Sequence, residues 1–407
     1  MTNTYMQLAW RNIWRNKRRT IITSASIFFG VVLSAIMTSM QEGSYAQMIK
    51  TIVSSYSGHL QVYNKEFWND KIINNSLEYT DSLKSKLVKT KNIAIIARRF
   101  ESFALASSTD LTKGVMIMGI SPAEEDKITN ISGKIIEGKY LENGDKGVLV
   151  GSGLAKYLQL KTNDTIVLLS QGYHGVSAAG KYQISGIIKH PSPELDRSVV
   201  YMDVSQCQDF FSAPDRLTSV VIMANSTNDV GTVKNEIIKS LGNEFDVKDW
   251  KEINRILLKQ IESDRASGAI IKGILYLIIA FGIFGTAMMM TLERRKEFGV
   301  LVAVGMQKTR LASMLLTETV FIGLLGSVSG ILISWPITLY YFFHPIRFTG
   351  QAAESMVQMG FEPVMSFSLT PSVFFQQTFI ILIFSLLIGL YPVIVASRLK
   401  VNKALRR

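Results

Sequence analysis

Four long stretches of the chain carry almost no charge, and they constrain its fold more than any other feature. Residues 20–41, 273–292 and 366–397 contain no Asp, Glu, Lys or Arg, and residues 311–343 contain one, Glu318. A helix rises about 1.5 Å per residue, so about 20 apolar residues cross the ~30 Å hydrocarbon core of a bilayer. The sequence therefore predicts an integral membrane protein of the α-helical class, with one transmembrane helix, a long insertion and three further transmembrane helices.

The first apolar stretch also raises the possibility of a signal peptide, because a run of basic residues precedes it. That stretch is long for the apolar region of a signal peptide, and no Ala-x-Ala cleavage site follows it. We interpret residues 20–41 as a retained transmembrane helix.

The positive charge of the chain is confined to segments that lie on one side of the predicted membrane. The formal net charge is +12. Fifteen basic and two acidic residues lie before the first predicted span, between the second and third, and after the fourth, whereas segments 42–272 and 344–365 are nearly neutral. Since Lys and Arg accumulate in cytoplasmic loops, we predict that both termini are cytoplasmic, that 42–272 is extracytoplasmic and that 344–365 is an outer loop. This distribution favours a membrane over nucleic acid as the partner of the basic residues.

The two ends of the chain are predicted to lie in the cytoplasm. Trp10 and Trp14 are four residues apart, and so are Arg11 and Arg15. This spacing places the indoles and the guanidinium groups on separate helix faces, which is typical of a helix lying in the headgroup layer. We therefore predict an interfacial amphipathic helix within 1–19, with these four residues as anchors, and a cytoplasmic tail at 398–407.

Segment 42–272 alternates extended and helical patterns, which predicts a large α+β extracytoplasmic domain. Two β-α-β units are expected near its ends, and residues 111–215 are expected to form a β-rich inserted subdomain. The extended runs of the two units are 59–63, 93–97, 102–106, 219–224 and 245–247, and their helices are 77–88 and 230–241.

Segment 293–310, between the second and third predicted spans, combines charged ends with an apolar stripe. Phe298, Leu301, Val302 and Gly305 follow the spacing i, i+3, i+4 and i+7, which places them on one face of a helix. We predict a cytoplasmic helix that lies along the membrane surface and offers its polar ends to a partner.

The same segment resembles a pattern of the FtsX-like ABC transporter permeases, E-R-x-x-E-[IF]-G-x-x-x-A-x-G. The matching residues are Glu293, Arg294, Glu297, Phe298, Gly299, Ala303 and Gly305. The start Trp10-Arg11-Asn12, the order of the predicted helices and the element GSGLAKYLQLKTND at 151–164 are similar to the same family. The resemblance therefore covers essentially the whole chain.

The resemblance implies a role for segment 293–310 and for the chain. In this family the corresponding segment is the coupling helix that contacts a cytoplasmic ATPase, and ATP-driven closure inside the cell moves the outer domain, a process called mechanotransmission. The chain is then expected to be a permease without catalytic activity, with ATP and magnesium bound by a separate ATPase subunit. It would act in the inner membrane as a homodimer or as a heterodimer with a related permease.

Chain length and the two-part outer domain favour the lipoprotein-releasing, or Lol-type, branch of that family. The substrate would then be a lipoprotein extracted from the outer leaflet of the inner membrane and passed to a periplasmic carrier. Two alternatives remain open: a transmembrane signalling scaffold that regulates periplasmic cell-wall hydrolases, and an efflux permease for peptides or antibiotics.

The third predicted span contains an intramembrane charge and a row of small residues. A carboxylate in lipid is costly, so Glu318 is expected to pair with a basic residue or to line an entry path. Gly323, Gly326 and Gly330 lie on one helix face, and small residues allow helices to approach closely. We predict that these glycines pack against another transmembrane helix.

We predict no catalytic, cofactor or metal site in the chain. Residues 133–140, GKIIEGKY, resemble a Walker A loop, but Tyr140 stands where a Ser or Thr must bind magnesium. The four histidines lack metal-ligand spacing, and the single cysteine, Cys207, cannot form an intramolecular disulfide.

Overall fold

A computed structural model describes residues 2–358 and 363–399 of the 407-residue chain. Two parts of the predictions therefore lie outside the described residues, namely 359–362 of the outer loop and 400–407 of the tail. The chain divides into two compact units. The helical unit comprises Met1–Ala46, Ile261–Arg347 and Val364–Arg407, and the sheet unit comprises Gln47–Gln260 and Phe348–Pro363.

The helices are numbered here in chain order. They are α1 (Thr2–Arg15), α2 (Lys17–Ile52), α3 (Phe67–Asp70), α4 (Asp81–Lys89), α5 (Pro122–Thr129), α6 (Ser152–Leu158), α7 (Pro193–Asp196), α8 (Val204–Phe210), α9 (Val230–Leu241), α10 (Trp250–Ile253), α11 (Arg255–Glu293), α12 (Arg295–Ala303), α13 (Lys308–Phe343), α14 (Gly350–Gln358) and α15 (Pro371–Ser397).

The strands are numbered in the same way. They are β1 (Leu60–Asn64), β2 (Leu77–Glu78), β3 (Ile93–Ser107), β4 (Thr112–Ile120), β5 (Ile135–Gly138), β6 (Val148–Gly151), β7 (Thr165–Gln171), β8 (Ser177–Ile188), β9 (Val199–Asp203), β10 (Arg216–Leu217), β11 (Ser219–Ala224), β12 (Phe245–Asp249), β13 (Ile346–Arg347) and β14 (Val364–Met365).

Four helices of the described chain, α2, α11, α13 and α15, are long and apolar enough to cross a membrane. Two of them extend well beyond the apolar stretches of the sequence. Helix α2 continues to Ile52, eleven residues past the predicted end at 41, and α11 begins at Arg255 rather than at 273. Hydropathy marks only the part of a helix that is suited to lipid, whereas the backbone hydrogen bonds continue through polar residues with good helix propensity.

The small residues of α13 lie where neighbouring helices approach closely. A Cβ atom on Gly326 would lie 2.6 Å from the Ile27 side chain of α2, and one on Gly330 would lie 2.9 Å from Val31. The corresponding atom on Gly323 would meet Ser385 of α15. Helix α13 therefore uses one glycine against α15 and two against α2.

The sheet unit is built on one ten-stranded sheet, part of which closes on itself. Strands β12, β1, β11 and β3 are antiparallel neighbours. From β3 the pairing continues through β4, β9, β6, β8 and β7, and β7 pairs with β3 again. Pairs β4–β9 and β6–β8 are parallel, and the other pairs of this ring are antiparallel.

The long strand β3 joins the strands of 111–215 to the sheet of the two end units, and the β-rich inserted subdomain at 111–215 stays a prediction. Runs 93–97 and 102–106 were expected to be two strands, but they form one strand of 15 residues. Its first half pairs with β11, and its last residues pair with β7. The strands of 111–215 that belong to the ring therefore continue the sheet that contains the two end units, because β3 belongs to both parts.

Local capping explains a second difference. The helix predicted at 77–88 begins at Asp81, because Thr80 accepts a hydrogen bond from the Leu83 amide at 3.2 Å and caps the helix, while Leu77–Glu78 pairs with β10. The Walker-like run 133–140 contains strand β5 rather than a loop that leads into a helix. That geometry does not form a phosphate-binding loop.

Candidate coupling site

The apolar face of helix α12 packs against α1 and α13 within the helical unit. Phe298 is fully buried and belongs to a core cluster with Ala9 of α1 and with Leu311 and Leu315 of α13. Leu301 and Val302 are partly buried against the same cluster. Three of the four residues in the predicted stripe therefore face this core cluster, and this packing fixes the orientation of the short helix.

The fourth residue of that stripe, Gly305, is not on the helix. Helix α12 ends at Ala303, and Gly305 has φ = +110°, a conformation that favours glycine. The Gly305 amide donates to the Val302 carbonyl at 3.1 Å, and the Met306 amide donates to the Leu301 carbonyl at 3.0 Å. This is the Schellman pattern that terminates a helix. The prediction that Gly305 lies on the same helix face as Phe298 was wrong, because residue spacing does not distinguish a residue on the helix from one that caps its C-terminus.

The outer side of α12 and the turn after it expose apolar side chains. Val300 is 50% exposed and Val304 is 84% exposed. Arg295 and Lys296 are exposed on the same short helix. We define the coupling surface as Arg295, Lys296, Val300 and Val304, a small apolar patch with basic neighbours.

Directly before α12, Arg294 forms a buried ion pair with Glu318 of α13. The guanidinium Nη1 atom lies 2.9 Å and 3.2 Å from the two carboxylate oxygens. The two side chains are 8% and 4% exposed. Asn12 of α1 donates a further hydrogen bond to Glu318 at 2.7 Å. Three separate helical segments therefore meet at one carboxylate.

Two further ion pairs, which are more exposed than the first, connect the N-terminal region to the segment around α12. Arg15 is hydrogen-bonded to Glu297, and this bond lowers the pKa of the Glu297 carboxyl. Arg19 contacts Glu293 at 2.5 Å. Together with the buried pair they form what we call the polar cluster, which consists of Asn12, Arg15, Arg19, Glu293, Arg294, Glu297 and Glu318.

The polar cluster brings several ionised groups together near the start of α13. Several ionised groups in hydrocarbon are very costly, whereas paired charges are common where a helix enters the headgroup layer. We therefore expect Glu318 to lie near the membrane boundary, with the start of α13 at Lys308 outside the lipid. Helix α13 begins three residues before 311, and the start of the third span at 311 stays a prediction.

The structure assigns intramolecular partners to the charged residues of the family-like motif. Glu293, Arg294 and Glu297 were expected to be offered to another protein. Arg294 is buried, and the two glutamates pair with Arg19 and Arg15. These residues shape the segment, and the exposed valines Val300 and Val304 lie outside the polar cluster.

Two residues of the cluster, Asn12 and Arg19, were not foreseen as site residues from the sequence. Asn12 lies 306 residues before Glu318, so no local spacing connects the two. The sequence drew attention to Asn12 only through the Trp10-Arg11-Asn12 motif near the N-terminus. Of the proposed interfacial anchors, Trp10, Arg11 and Trp14 are exposed, and Arg15 is bound to Glu297.

Two family models match the chain. A model of the MacB-like periplasmic core domain matches residues 20–240, and a model of the FtsX-like permease C-terminal region matches residues 269–401. Together they account for most of the chain.

Several characterised and solved proteins are similar. The lipoprotein-releasing system transmembrane protein LolC of Neisseria meningitidis serogroup B is 21% identical over 336 residues, which are 78% of this chain and 77% of LolC. The macrolide export ATP-binding/permease protein MacB of Escherichia coli is 22% identical over 415 residues, covering 95% of this chain and 58% of MacB. The extracellular domain of the transporter YknZ aligns with 47% of this chain and 100% of that domain, with 10% identity and a TM-score of 0.36.

Proposed function

The chain belongs to the family of FtsX-like ABC transporter permeases, and we propose that it is the permease subunit of a transporter that extracts lipoproteins from the inner membrane. The observation that carries this choice is the similarity to LolC, which spans about three quarters of both chains. The chain spans little more than half of MacB. In this proposal a separate ATPase subunit binds ATP and magnesium, and the permease carries out no chemistry of its own.

We propose that the ATPase contacts the coupling surface. Val300 and Val304 are apolar and exposed, and Phe298 anchors the opposite face of the same short helix. Arg294 connects the start of α12 to α13 through Glu318. A displacement of α12 would therefore be transmitted to the ends of α11 and α13, which is the mechanical element that mechanotransmission requires.

The charge distribution supports a cytoplasmic position for the coupling surface and a periplasmic position for the sheet unit. The arrangement is testable with single cysteines, because Cys207 is fully buried and burial raises the pKa of its thiol. In intact spheroplasts we expect a membrane-impermeant maleimide to label Val88→Cys of α4, which replaces a 65% exposed residue. Val304→Cys should be labelled only after permeabilisation, and the reverse pattern would contradict the orientation.

The function is tested by affinity purification of the tagged chain in mild detergent, followed by mass spectrometry that includes lipid-modified peptides. We expect an ABC ATPase and acylated lipoproteins in the eluate. The double variant Val300→Glu, Val304→Glu should lose the ATPase, because two charges would replace the apolar part of the coupling surface. Val88→Glu, at a similarly exposed valine of the sheet unit, serves as the matched control and should retain it.

The similarity to MacB across 95% of the chain supports efflux as the second candidate. The same purification distinguishes the candidates. An ATPase accompanied by a periplasmic adaptor, without acylated proteins, would favour efflux, and an ATPase with a cell-wall hydrolase would favour the signalling scaffold. Recovery of no ATPase from the wild-type chain would contradict all three.

A further inference from the structure

An open groove of about 370 Å³ lies between α1 and α13 in the helical unit. Its lining consists of Met6, Gln7, Trp10 and Arg11 of α1 and Phe321 of α13. Trp10 packs edge-on against Phe321, with ring centroids 6.0 Å apart and an interplanar angle of 86°. The groove is therefore a largely apolar trough with one cationic side chain.

The groove begins at the level of the polar cluster. Phe321 follows Glu318 by three residues, or about 4.5 Å along α13 toward the lipid-embedded part of the helix. On α1, Ala9 and Ile13 are fully buried, whereas Met6 and Trp10 are 55% and 43% exposed. We therefore expect the aromatic wall to lie where the headgroup layer meets the acyl chains, the region in which Trp is enriched.

Arg11 differs from two later arginines of the N-terminal region. Arg15 is bound to Glu297 and Arg19 to Glu293. Within the described residues Arg11 has no ion pair or hydrogen bond, and no acidic side chain lines the groove. A fixed positive charge beside an apolar trough at a membrane surface is complementary to a ligand with an anionic head and an apolar tail.

We propose that this groove binds one anionic phospholipid, with its phosphate on Arg11 and one acyl chain along Trp10 and Phe321. The guanidinium group suits this role because its donors match the geometry of a phosphate. A zwitterionic lipid offers the same tail, but its cationic group faces repulsion from Arg11. The site would hold α1 at the membrane surface and is independent of what the transporter carries.

Native mass spectrometry of the full chain in detergent tests the site. The chain is titrated with dioleoyl phosphatidylglycerol and, separately, with dioleoyl phosphatidylcholine. We expect one phosphatidylglycerol to be retained at energies that remove phosphatidylcholine. Arg11→Gln should weaken its binding roughly fivefold, the effect expected for one cation near anionic lipid. Arg11 is exposed, so this variant leaves the core unchanged.

Arg18→Gln is the matched control, because Arg18 is also exposed and lies outside the groove lining. Retention unchanged in Arg18→Gln and reduced in Arg11→Gln supports the site. Equal loss in both variants, no loss in Arg11→Gln, or equal retention of the two lipids would overturn it. Displacement of the lipid by inorganic phosphate at millimolar concentration would also overturn it, because it would show a simple anion site without a role for the tail.

Discussion

Burial decides what the ion pair between Arg294 and Glu318 contributes to stability. Both side chains are less than a tenth exposed, and Asn12 supplies an additional donor to the carboxylate. Removing two ions from water is costly, and their mutual attraction offsets that cost only when both are present with good geometry. The exposed pair Arg15–Glu297 has no such constraint, since its side chains are 55% and 46% exposed.

Double-mutant cycles should distinguish the contribution of the buried pair to the free energy of unfolding from that of the exposed pair. Arg294→Met leaves Glu318 buried without its cation, so we expect the free energy of unfolding to fall by about 3–5 kcal/mol. Arg294→Met combined with Glu318→Met should cost clearly less than the sum of the two single changes. Equilibrium unfolding of the full chain in detergent provides the measurement.

The matched cycle uses Arg15→Met and Glu297→Met. An exposed pair contributes about 0–1 kcal/mol, so these variants should be nearly as stable as the wild type. Equal costs for the two cycles would contradict the assignment of Arg294–Glu318 as the pair that holds α12 to α13.

His190 gives the sheet unit a predicted pH dependence. Its side chain is 3% exposed, and burial lowers its pKa from 6.5 to about 4. The pKa of His190 is lower in the folded chain than in the unfolded chain, so acid protonates the unfolded chain first. The contribution of the neutral His190 to the free energy of unfolding is therefore complete above about pH 6.5 and is lost as the pH falls toward 4. We expect a loss of about 2 kcal/mol between pH 7 and 4.5.

That dependence is measured by thermal unfolding of the full chain across this pH range. His190→Asn should flatten the curve, whereas His174→Asn, at an exposed histidine of the same unit, should leave its shape unchanged. A wild-type chain whose stability is constant between pH 7 and 4.5 would contradict the prediction.

Single residues also show where sequence reasoning succeeds. The requirement that Glu318 find a partner follows from the cost of a carboxylate near lipid, which depends on its position in an apolar stretch. The identity of that partner does not follow, because Asn12 and Arg294 reach Glu318 through tertiary packing. Gly305 fits the helical spacing of Phe298, yet its positive φ ends the helix.

At the scale of elements, the glycines of α13 determine how closely this helix approaches α2. A Cβ on Gly326 would lie 2.6 Å from Ile27 and 2.8 Å from the Ser24 carbonyl, and the latter is backbone that cannot rotate away. Gly282 of α11 has no such neighbour, since a Cβ atom there would have open space around it, with no atom of the described chain within 4 Å beyond its own helix backbone.

We therefore expect opposite effects from two substitutions that are chemically identical. Gly326→Ala should lower the free energy of unfolding by about 1–3 kcal/mol through overpacking. Gly282→Ala should be neutral or stabilising by up to about 1 kcal/mol, because alanine has the higher helix propensity. Thermal unfolding in detergent compares them, and a Gly326→Ala chain as stable as Gly282→Ala would refute the close approach of α13 and α2.

Element boundaries were predictable where the chain provides local signals. Helix 230–241 and strand 219–224 coincide with α9 and β11, because their apolar periodicities end at polar or glycine residues. The sequence did not predict that Ile93–Ser107 forms one continuous strand. Its two apolar halves are separated by Arg98, Arg99, Phe100 and Glu101, and the buried Arg99 continues the strand because Glu125 pairs with it at 2.6 Å. That partner lies in α5, so the sequence shows only an interruption.

At the scale of the whole molecule, the chain divides into a sheet unit and a helical unit, and the helical unit contains the four candidate membrane-spanning helices and the coupling surface. Hydropathy and charge predict the helices and their orientation, because lipid imposes simple requirements on composition. The closed ring of six strands is not accessible in this way, since strand pairing between distant segments leaves no local pattern. The proposed coupling surface also became visible only from burial, because the exposed Val304 cannot be told by sequence from the apolar residues that face inward.

One crosslinking measurement tests the proposed coupling surface directly. Val304→Cys introduces a thiol at an 84% exposed position, while the native Cys207 stays buried. The variant is labelled with a photoactivatable maleimide in inverted membrane vesicles and irradiated, and the adduct is identified by mass spectrometry. We expect an adduct with an ATP-binding subunit from Val304→Cys and none from Val88→Cys. An ATP-binding subunit that crosslinks to Val88→Cys, or that never crosslinks to Val304→Cys although it co-purifies, would contradict the coupling role of α12.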